Sequence, residues 1–300
     1  MNRSIGGFVV TFAVLAVSAM SATPAAHAQS LQLVVDGQPR VFVVNRPPGA
    51  EPRPTVIMLH GAFSNAVKEA NAPGLGQIAP QNGFAAVFPE GRAGRWNHLP
   101  PGKEATAFAE LAFKDAGGAL DDVKFLKLLV ADLVRRGVSD PKRIYLAGRS
   151  AGGLMTLRMA CEDAKLLAGI GLLITGMSEP AGAVCRPAKP LPVLLLNGTA
   201  DQVIPHGGGT VGGMDGTPGR GVFAVWPADR LVEFFRRLNG CTDPALLSVV
   251  AVQSREQIEL ERSARCAGAP IDSYRVVGGG HNANPAGLDV SRALVDFFSD

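Results

Sequence analysis

No two of the four cysteines, Cys161, Cys185, Cys241 and Cys266, stand at the close spacing that a zinc site draws on. A structural metal is therefore not expected, and nothing in the sequence calls for another cofactor. Basic clusters are missing as well: 29 Lys and Arg stand against 26 Asp and Glu, a formal charge of +3 at pH 7. So even a balance excludes the electrostatic footprint of a nucleic-acid or anionic-lipid binder. The sequence also lacks an internal repeat, and no Pro/Ser/Thr-rich linker sets off a second module.

What is present begins with a leader. Residues 1–3 are a short basic start, residues 5–20 an uncharged apolar run, and Ala26-His27-Ala28 the small-x-small pattern of a signal-peptidase site. The apolar run is short for a membrane span of about 20 residues and has no basic flank on its far side. The expectation is a signal peptide over residues 1–28, cleaved after Ala28, with export to the periplasm or the exterior and no stable membrane anchor. Residues 29–300 then form a single domain long enough for a substantial core. In an oxidising compartment an even cysteine count implies two disulfides, and four cysteines allow three connectivities. The local pairing, Cys161–Cys185 with Cys241–Cys266, is preferred; each bridge would close a loop of about 25 residues and stabilise by about 3 kcal/mol.

The expected fold class is α/β. "LQLVVDGQPRVFVV" reads as an N-terminal antiparallel hairpin, with Asp36-Gly37 between two β-branched runs. "TVIMLHG", "FAAVFPEG", "RIYLAG", "IGLLITG", "PVLLLNG" and "SYRVVGGG" are short apolar runs of the kind buried on both faces of a parallel sheet. Helical patterns alternate with them. In "DDVKFLKLLVADLVRRG", Val123, Leu126, Val130, Leu133 and Val134 recur at helical spacing, with acids at the start, Arg135 and Arg136 at the end and Gly137 as the stop. Such alternation predicts a mostly parallel central sheet with helices on both faces.

Polar residues collect where these strands end, the edge at which open α/β sheets bind ligands. Gly148-Arg149-Ser150-Ala151-Gly152 stands between a strand and a helical run, the setting of a nucleophile elbow. A turn that sharp requires small residues two before and two after the serine. It also aims the Ala151 N–H at a developing oxyanion. A serine hydroxyl needs a base, and beyond the leader the choice is His60, His98, His206 or His281. His281 follows three glycines at a strand end, whereas His60, before Gly61, is better suited to shaping an oxyanion loop. Asp201, just past "PVLLLNG", is the orienting carboxylate. The order Ser150, Asp201, His281 is that of α/β hydrolases. The second oxyanion donor is expected at Ala62, with Phe63 the fallback.

With these residues in view, the sequence resembles exported esterases of the polyhydroxybutyrate depolymerase type, a family that includes feruloyl and acetylxylan esterases. The resemblance runs through "VIMLHG", "RWN", "DDVKFL", "DPKRIYLAGRSAGGLMTLRMAC", "PVLLLNGTADQVIPHGGG", "FFRRLNGC" and "VVGGGHNANP". It implies an α/β-hydrolase fold, a Ser150–Asp201–His281 triad and pairing of Cys241 with Cys266. It also places Trp96-Asn97 near the active-site mouth, and these two, with His60 and Phe63 of the first loop, are the substrate-binding candidates. Two departures bear on substrate class: the family often has Cys at Ala62, and Trp-Pro-Gly where this chain reads Asn282-Ala283-Asn284-Pro285. The substrate expected from this resemblance is a small or oligomeric ester, first of all a 3-hydroxybutyrate oligomer. Crystalline polymer is not favoured, because the chain ends at Asp300 without a surface-binding module. Feruloyl or acetylxylan ester hydrolysis is the alternative; an exported serine peptidase or a silent binding protein on the same fold are the readings from other classes. Arg149 is expected to pair with a structural carboxylate rather than attract an acidic substrate. The glycine-rich run from His206 to Gly221 reads equally as a binding loop and as a floppy insertion.

Overall fold

The computed structural model describes residues 27–213, 217–242, 245–253 and 256–300. The expected leader lies outside the described residues except for His27 and Ala28, which open the first strand. β1 (His27–Val35) and β2 (Gln38–Arg46) form the expected hairpin. Its turn residues Asp36 and Gly37 have φ of 51° and 74°. Two left-handed residues match the twist of the flanking strands, which is why Asp-Gly works there.

The expected apolar runs then appear as β3 (Arg53–Leu59), β4 (Ala85–Pro89), β5 (Ser139–Arg149), β6 (Gly169–Leu173) and β7 (Val193–Gly198). Among them lie α1 (Ala66–Asn71), α2 (Leu75–Gln81), α3 (Lys103–Ala112), α4 (Asp122–Arg135), α5 (Ala151–Asp163) and α6 (Glu179–Val184). A two-stranded ribbon, β8 (Gly209–Thr210) with β9 (Ala224–Val225), precedes α7 (Ala228–Leu238). β10 (Leu246–Val252), β11 (Gln257–Ser263), β12 (Ile271–Val277) and α8 (Val290–Ser299) complete the order.

Ten strands form one sheet in the order β1-β2-β4-β3-β5-β6-β7-β12-β11-β10. From β4 to β12 the neighbours pair parallel, and both margins are antiparallel. The pleat divides the core. Ile57 and Leu59 of β3 join the cluster under α4, α5 and α7, while Val56 and Met58 join the one under α1, α2 and α8. α4 shows why the sequence settles locally: Asp121 accepts from the Lys124 N–H at 2.9 Å, Val123, Leu126, Val130 and Leu133 are buried, and Gly137 at φ 69° ends the run.

The β10–β11 pair is absent from the sequence expectation. β11 buries Ile258 and Leu260 between polar neighbours, a half-buried strand; β10 is an edge strand exposed almost throughout, so no burial pattern marks it. Both preferred disulfides form, Cys161–Cys185 and Cys241–Cys266, and they account for all four cysteines. Among the described residues no helix is long and apolar enough to cross a membrane.

Candidate active site

The chain leaves β5 at Arg149 and enters α5 at Ala151 with one residue between them. That residue, Ser150, takes φ 53° and ψ −121°, a conformation L-residues adopt only under compulsion. The compulsion is close packing. A Cβ on Gly148 would lie 2.3 Å from the carbonyl of Gly152, and one on Gly152 would lie 2.2 Å from the Leu59 carbonyl oxygen. The Ser150 N–H donates to Leu173 O at 2.9 Å, and Thr175 Oγ1 donates to Ser150 O at 3.0 Å. Serine at a helix start ordinarily caps the helix with its hydroxyl. Here the strained backbone denies it that bond, and Oγ is left for another partner.

That partner is His281, whose Nε2 stands 2.9 Å from Ser150 Oγ. Its Nδ1 is 2.6 Å from Asp201 Oδ2. The other Asp201 oxygen accepts from the N–H groups of Val203 and Ile204 at 2.8 and 2.9 Å, so the carboxylate is held by its own turn. β7 and β12 are parallel neighbours, and the turns after them lie back to back. The Ala200 N–H donates to Gly279 O at 2.8 Å, and a Cβ on Gly198 would meet that same oxygen at 2.3 Å. The sheet thus brings together three residues far apart in sequence.

The loop after β3 packs against the elbow: a Cβ on Gly61 would be 3.6 Å from that of Ser150. His60 is fully buried and explains how the loop keeps its shape. Its Nε2 accepts the Gly91 N–H at 2.9 Å, so the ring proton sits on Nδ1 and is donated to Gly61 O at 2.8 Å. Burial holds its pKa below the usual imidazole range, which keeps the neutral tautomer that both bonds require. Trp96 Nε1 donates to His60 O at 2.9 Å from the next layer. The Phe63 N–H is committed to Gly94 O at 2.9 Å, which removes the fallback oxyanion donor and leaves Ala62. As the first residue of α5, Ala151 has no intrahelical acceptor for its N–H.

Ser150, Ala151, His281 and Ala62 border a cavity of about 520 Å³. Phe63, exposed at φ 62°, forms part of the rim, with the Arg95 guanidinium 4.5 Å from its ring centre. Phe108 and Leu111 of α3 form one wall, and Val211 and Phe223 of the glycine-rich region form another. Of the run from His206 to Gly221, Val211, Gly212, Gly213 and Gly221 line the cavity, and residues 214–216 lie outside the described residues. Trp96, expected as a substrate contact, stands at the back of the cavity lining, fully buried in the core with its Nε1 engaged by His60 O.

Two other expected substrate contacts are corrected. His60 has both nitrogens engaged behind the loop after β3 and no surface on the cavity. Asn97 points away into the scaffold: its N–H donates to Asp122 Oδ2 at 2.7 Å and its Nδ2 to Leu120 O at 3.1 Å. Asp122 is itself buried against Arg40 at 2.6 Å, and burial pushes its carboxyl up while the guanidinium pulls it back.

The family described as Esterase PHB depolymerase matches residues 41–260, a span that includes Ser150 and Asp201. The chain belongs to this family. It is 30% identical over 264 residues to the candidate esterase NocK of Nocardia uniformis subsp. tsuyamanensis, covering 83% of this chain and 72% of NocK. It is 26% identical over 200 residues to feruloyl esterase B of Piromyces equi, covering 65% of this chain and 34% of that enzyme. Among solved structures, an acetyl xylan esterase from Aspergillus awamori aligns with a TM-score of 0.61 at 13% identity, over 91% of this chain and 99% of its own. A cold-adapted esterase from an Arctic intertidal metagenomic library gives 0.55 at 14% identity, over 94% and 97%. At those identities the likeness is one of fold, the α/β-hydrolase fold.

Within this esterase family the two sequence departures have different weight. Ala62 borders the cavity beside Ser150, so the size of the side chain at this position bears on the space there. Asn282 to Pro285 turn away: Asn282 and Asn284 bond to each other at 3.0 and 3.1 Å, and no residue of that turn reaches the cavity. Arg149 also points away from substrate. It pairs with Glu69 of α1, the structural role expected of it. Burial raises the Glu69 carboxyl above its ordinary range, and the guanidinium beside it pulls it back.

Proposed function

We propose that this chain is an exported serine carboxylesterase. Ser150 is the nucleophile, His281 the general base and acid, and Asp201 the carboxylate that orients and stabilises the imidazolium. His281 Nε2 takes the hydroxyl proton as Oγ adds to the ester carbonyl, and the carbonyl electrons move onto an oxyanion between the Ala62 and Ala151 N–H groups. Collapse breaks the bond to the alcohol oxygen, which leaves with the proton from His281, and an acyl-serine remains. A water then repeats the sequence, deprotonated by His281, and releases the acid with Ser150 restored.

The observation that carries this reading is the chain of two hydrogen bonds, 2.9 Å and 2.6 Å, from a strained serine through His281 to Asp201, at the border of a cavity. Two disulfides fit an oxidising compartment. The favoured substrates are small or oligomeric esters of hydroxy acids, of the 3-hydroxybutyrate type. Esters of plant cell-wall aromatic acids are the second reading, supported by the aromatic walls at Phe108 and Phe223 and by the feruloyl esterase relative.

A fluorophosphonate tests the chemistry: the wild type is labelled and Ser150→Ala is not. Unlabelled wild type, or full ester hydrolysis by Ser150→Ala, sinks the proposal, and the unlabelled result returns the binding-protein reading. Hydrolysis of hydroxybutyrate oligomers, methyl ferulate and acetylated xylan then separates the substrate classes.

A further inference from the structure

One polar side chain on the cavity is used by nothing described so far. His98 is 2% exposed and borders the cavity, yet its buried Nδ1 has no hydrogen-bond partner. Its ring is boxed by Phe108, with centroids 4.6 Å apart, and Phe223, at 5.2 Å. Burial, reinforced by the nearby Arg158 cation, lowers its pKa to about 3, so the ring is neutral at working pH. A buried nitrogen left without a partner is uncommon and asks for an explanation.

The segment that carries His98 is fixed on both sides. Arg158, on the helix that Ser150 opens, donates to Asn97 O at 2.7 Å and to Leu99 O at 2.9 Å. Asn97 is anchored in turn to Asp122 and Leu120. The helix that follows the elbow therefore sets where the imidazole stands, the arrangement by which a binding group is preorganised.

We propose that His98 is a specificity-determining residue that hydrogen-bonds an uncharged hydroxyl on the acid part of the ester. The inference rests on the serine-esterase reading. A hydroxyl donates and accepts, so it satisfies either neutral tautomer. A carboxylate in the same place would be buried against aromatic rings beside an uncharged imidazole. The acid part is the fitting one because it stays on Ser150 through the acyl-enzyme, where an enclosed wall holds it, while the alcohol has to leave. Two sources share this chemistry, an aliphatic hydroxy acid and a phenolic acid.

The test is kcat/KM on two matched pairs of methyl esters, 3-hydroxybutyrate against butyrate and 4-hydroxycinnamate against cinnamate. The wild type is expected to favour the hydroxylated member of one pair by about tenfold or more, and that pair names the source. His98→Phe keeps a flat ring without a nitrogen and is expected to bring the ratio close to one. Where its melting curve shows that it does not fold, His98→Leu is measured in its place. A wild-type ratio near one in both pairs overturns the proposal, as does a ratio that survives in the folded variant. Hydrolysis of neither pair by an enzyme that fluorophosphonate labels also overturns it and leaves the serine reading standing. Hydrolysis that survives in Ser150→Ala overturns the serine reading instead.

Discussion

On the floor of the cavity His281 has one nitrogen 2.9 Å from Ser150 and the other 2.6 Å from Asp201. In the wall, His98 has a buried Nδ1 with no partner and two phenylalanines for neighbours. The same side chain is closed in one region and open in the other. The floor residues sit one turn beyond parallel strands, and each strand is fixed by two neighbours in the sheet. The walls come from α3 and from the region between Asp201 and α7, which pack in a separate small cluster with Leu99, Phe113 and Leu154. On the reading proposed above, a preorganised floor beneath a wall with an unmet polar group separates the reaction from the choice of substrate. Variants of floor and wall should therefore fail in different ways.

The largest effects belong to the floor. Ser150→Ala should lower kcat by about 10⁵ or more, and Asp201→Asn by about 10⁴, because the amide stabilises the wrong imidazole tautomer. Both should keep the wild-type melting temperature to within a few degrees, with KM little changed. Steady-state kinetics beside thermal melts read both quantities. An Asp201→Asn enzyme within tenfold of wild type would falsify the claim that Asp201, His281 and Ser150 act as one unit.

Next comes a region remote from both. Replacing Cys241 and Cys266 by Ala removes a bridge with a sequence separation of 25 residues, which should cost about 3 kcal/mol. Denaturant midpoints read the loss, while kcat/KM at 25 °C should hold. A parallel fall in kcat would mean that the β10–β12 margin helps to position His281, and the division into floor and wall would need a third part.

Arg149 tests the underside of the floor. Arg149→Met leaves the Glu69 carboxyl, 7% exposed, without its cation. With Arg149 itself partly solvated, the cost at pH 7 should be about 2 kcal/mol. Its pH dependence has a definite sign. Burial already raises the folded Glu69 carboxyl, and losing Arg149 raises it further. A raised carboxyl makes the native state bind more protons than the unfolded one, so its stability is greatest below the unfolded value of about 4.3 and falls as pH rises through the folded value. The gap between variant and wild type should thus widen from pH 4 to pH 7. Equal gaps at both would mean that Glu69 does not feel the change.

The same division decides what was legible in the sequence. The floor could be read because its signals are local: a buried parallel strand is a continuous apolar run, and Gly148, Gly152 and Gly198 mark turns too tight for a side chain. Asp201 and His281 follow directly on such runs. The local pairing of the four cysteines also held. The walls carry no such marks. Asn97 was expected on the cavity and His98 was not, yet the two are adjacent, and only the contacts of Asn97 with Asp122 and Leu120 decide which of them turns inward. His60 looked available because sequence does not reveal the main-chain groups that occupy its nitrogens. Phe108, Leu154 and Phe223 converge from three elements with no common period. β11 is a fair miss of another kind, since "QIELER" alternates visibly, whereas the exposed β10 beside it does not.

The smallest expected effect is the one that most sharpens the comparison. Phe223 packs edge-on against Phe108, with centroids 6.2 Å apart, and against His98 at 5.2 Å. Phe223→Leu keeps an apolar side chain of reduced area, so its stability cost should stay below about 1.5 kcal/mol. If this wall contacts the acid part of the ester, the loss in kcat/KM should grade with that part. Esters of a bulky or aromatic acid should fall by up to about tenfold, and acetate esters, too short to reach the ring, should fall less. The floor is untouched by the change, so kcat on saturating acetate ester should track the wild type more closely than KM does on the larger esters. A graded panel of acyl lengths reads this directly. A uniform fall across that panel would mean that Phe223 supports the geometry of the triad, and the wall would then be part of the floor.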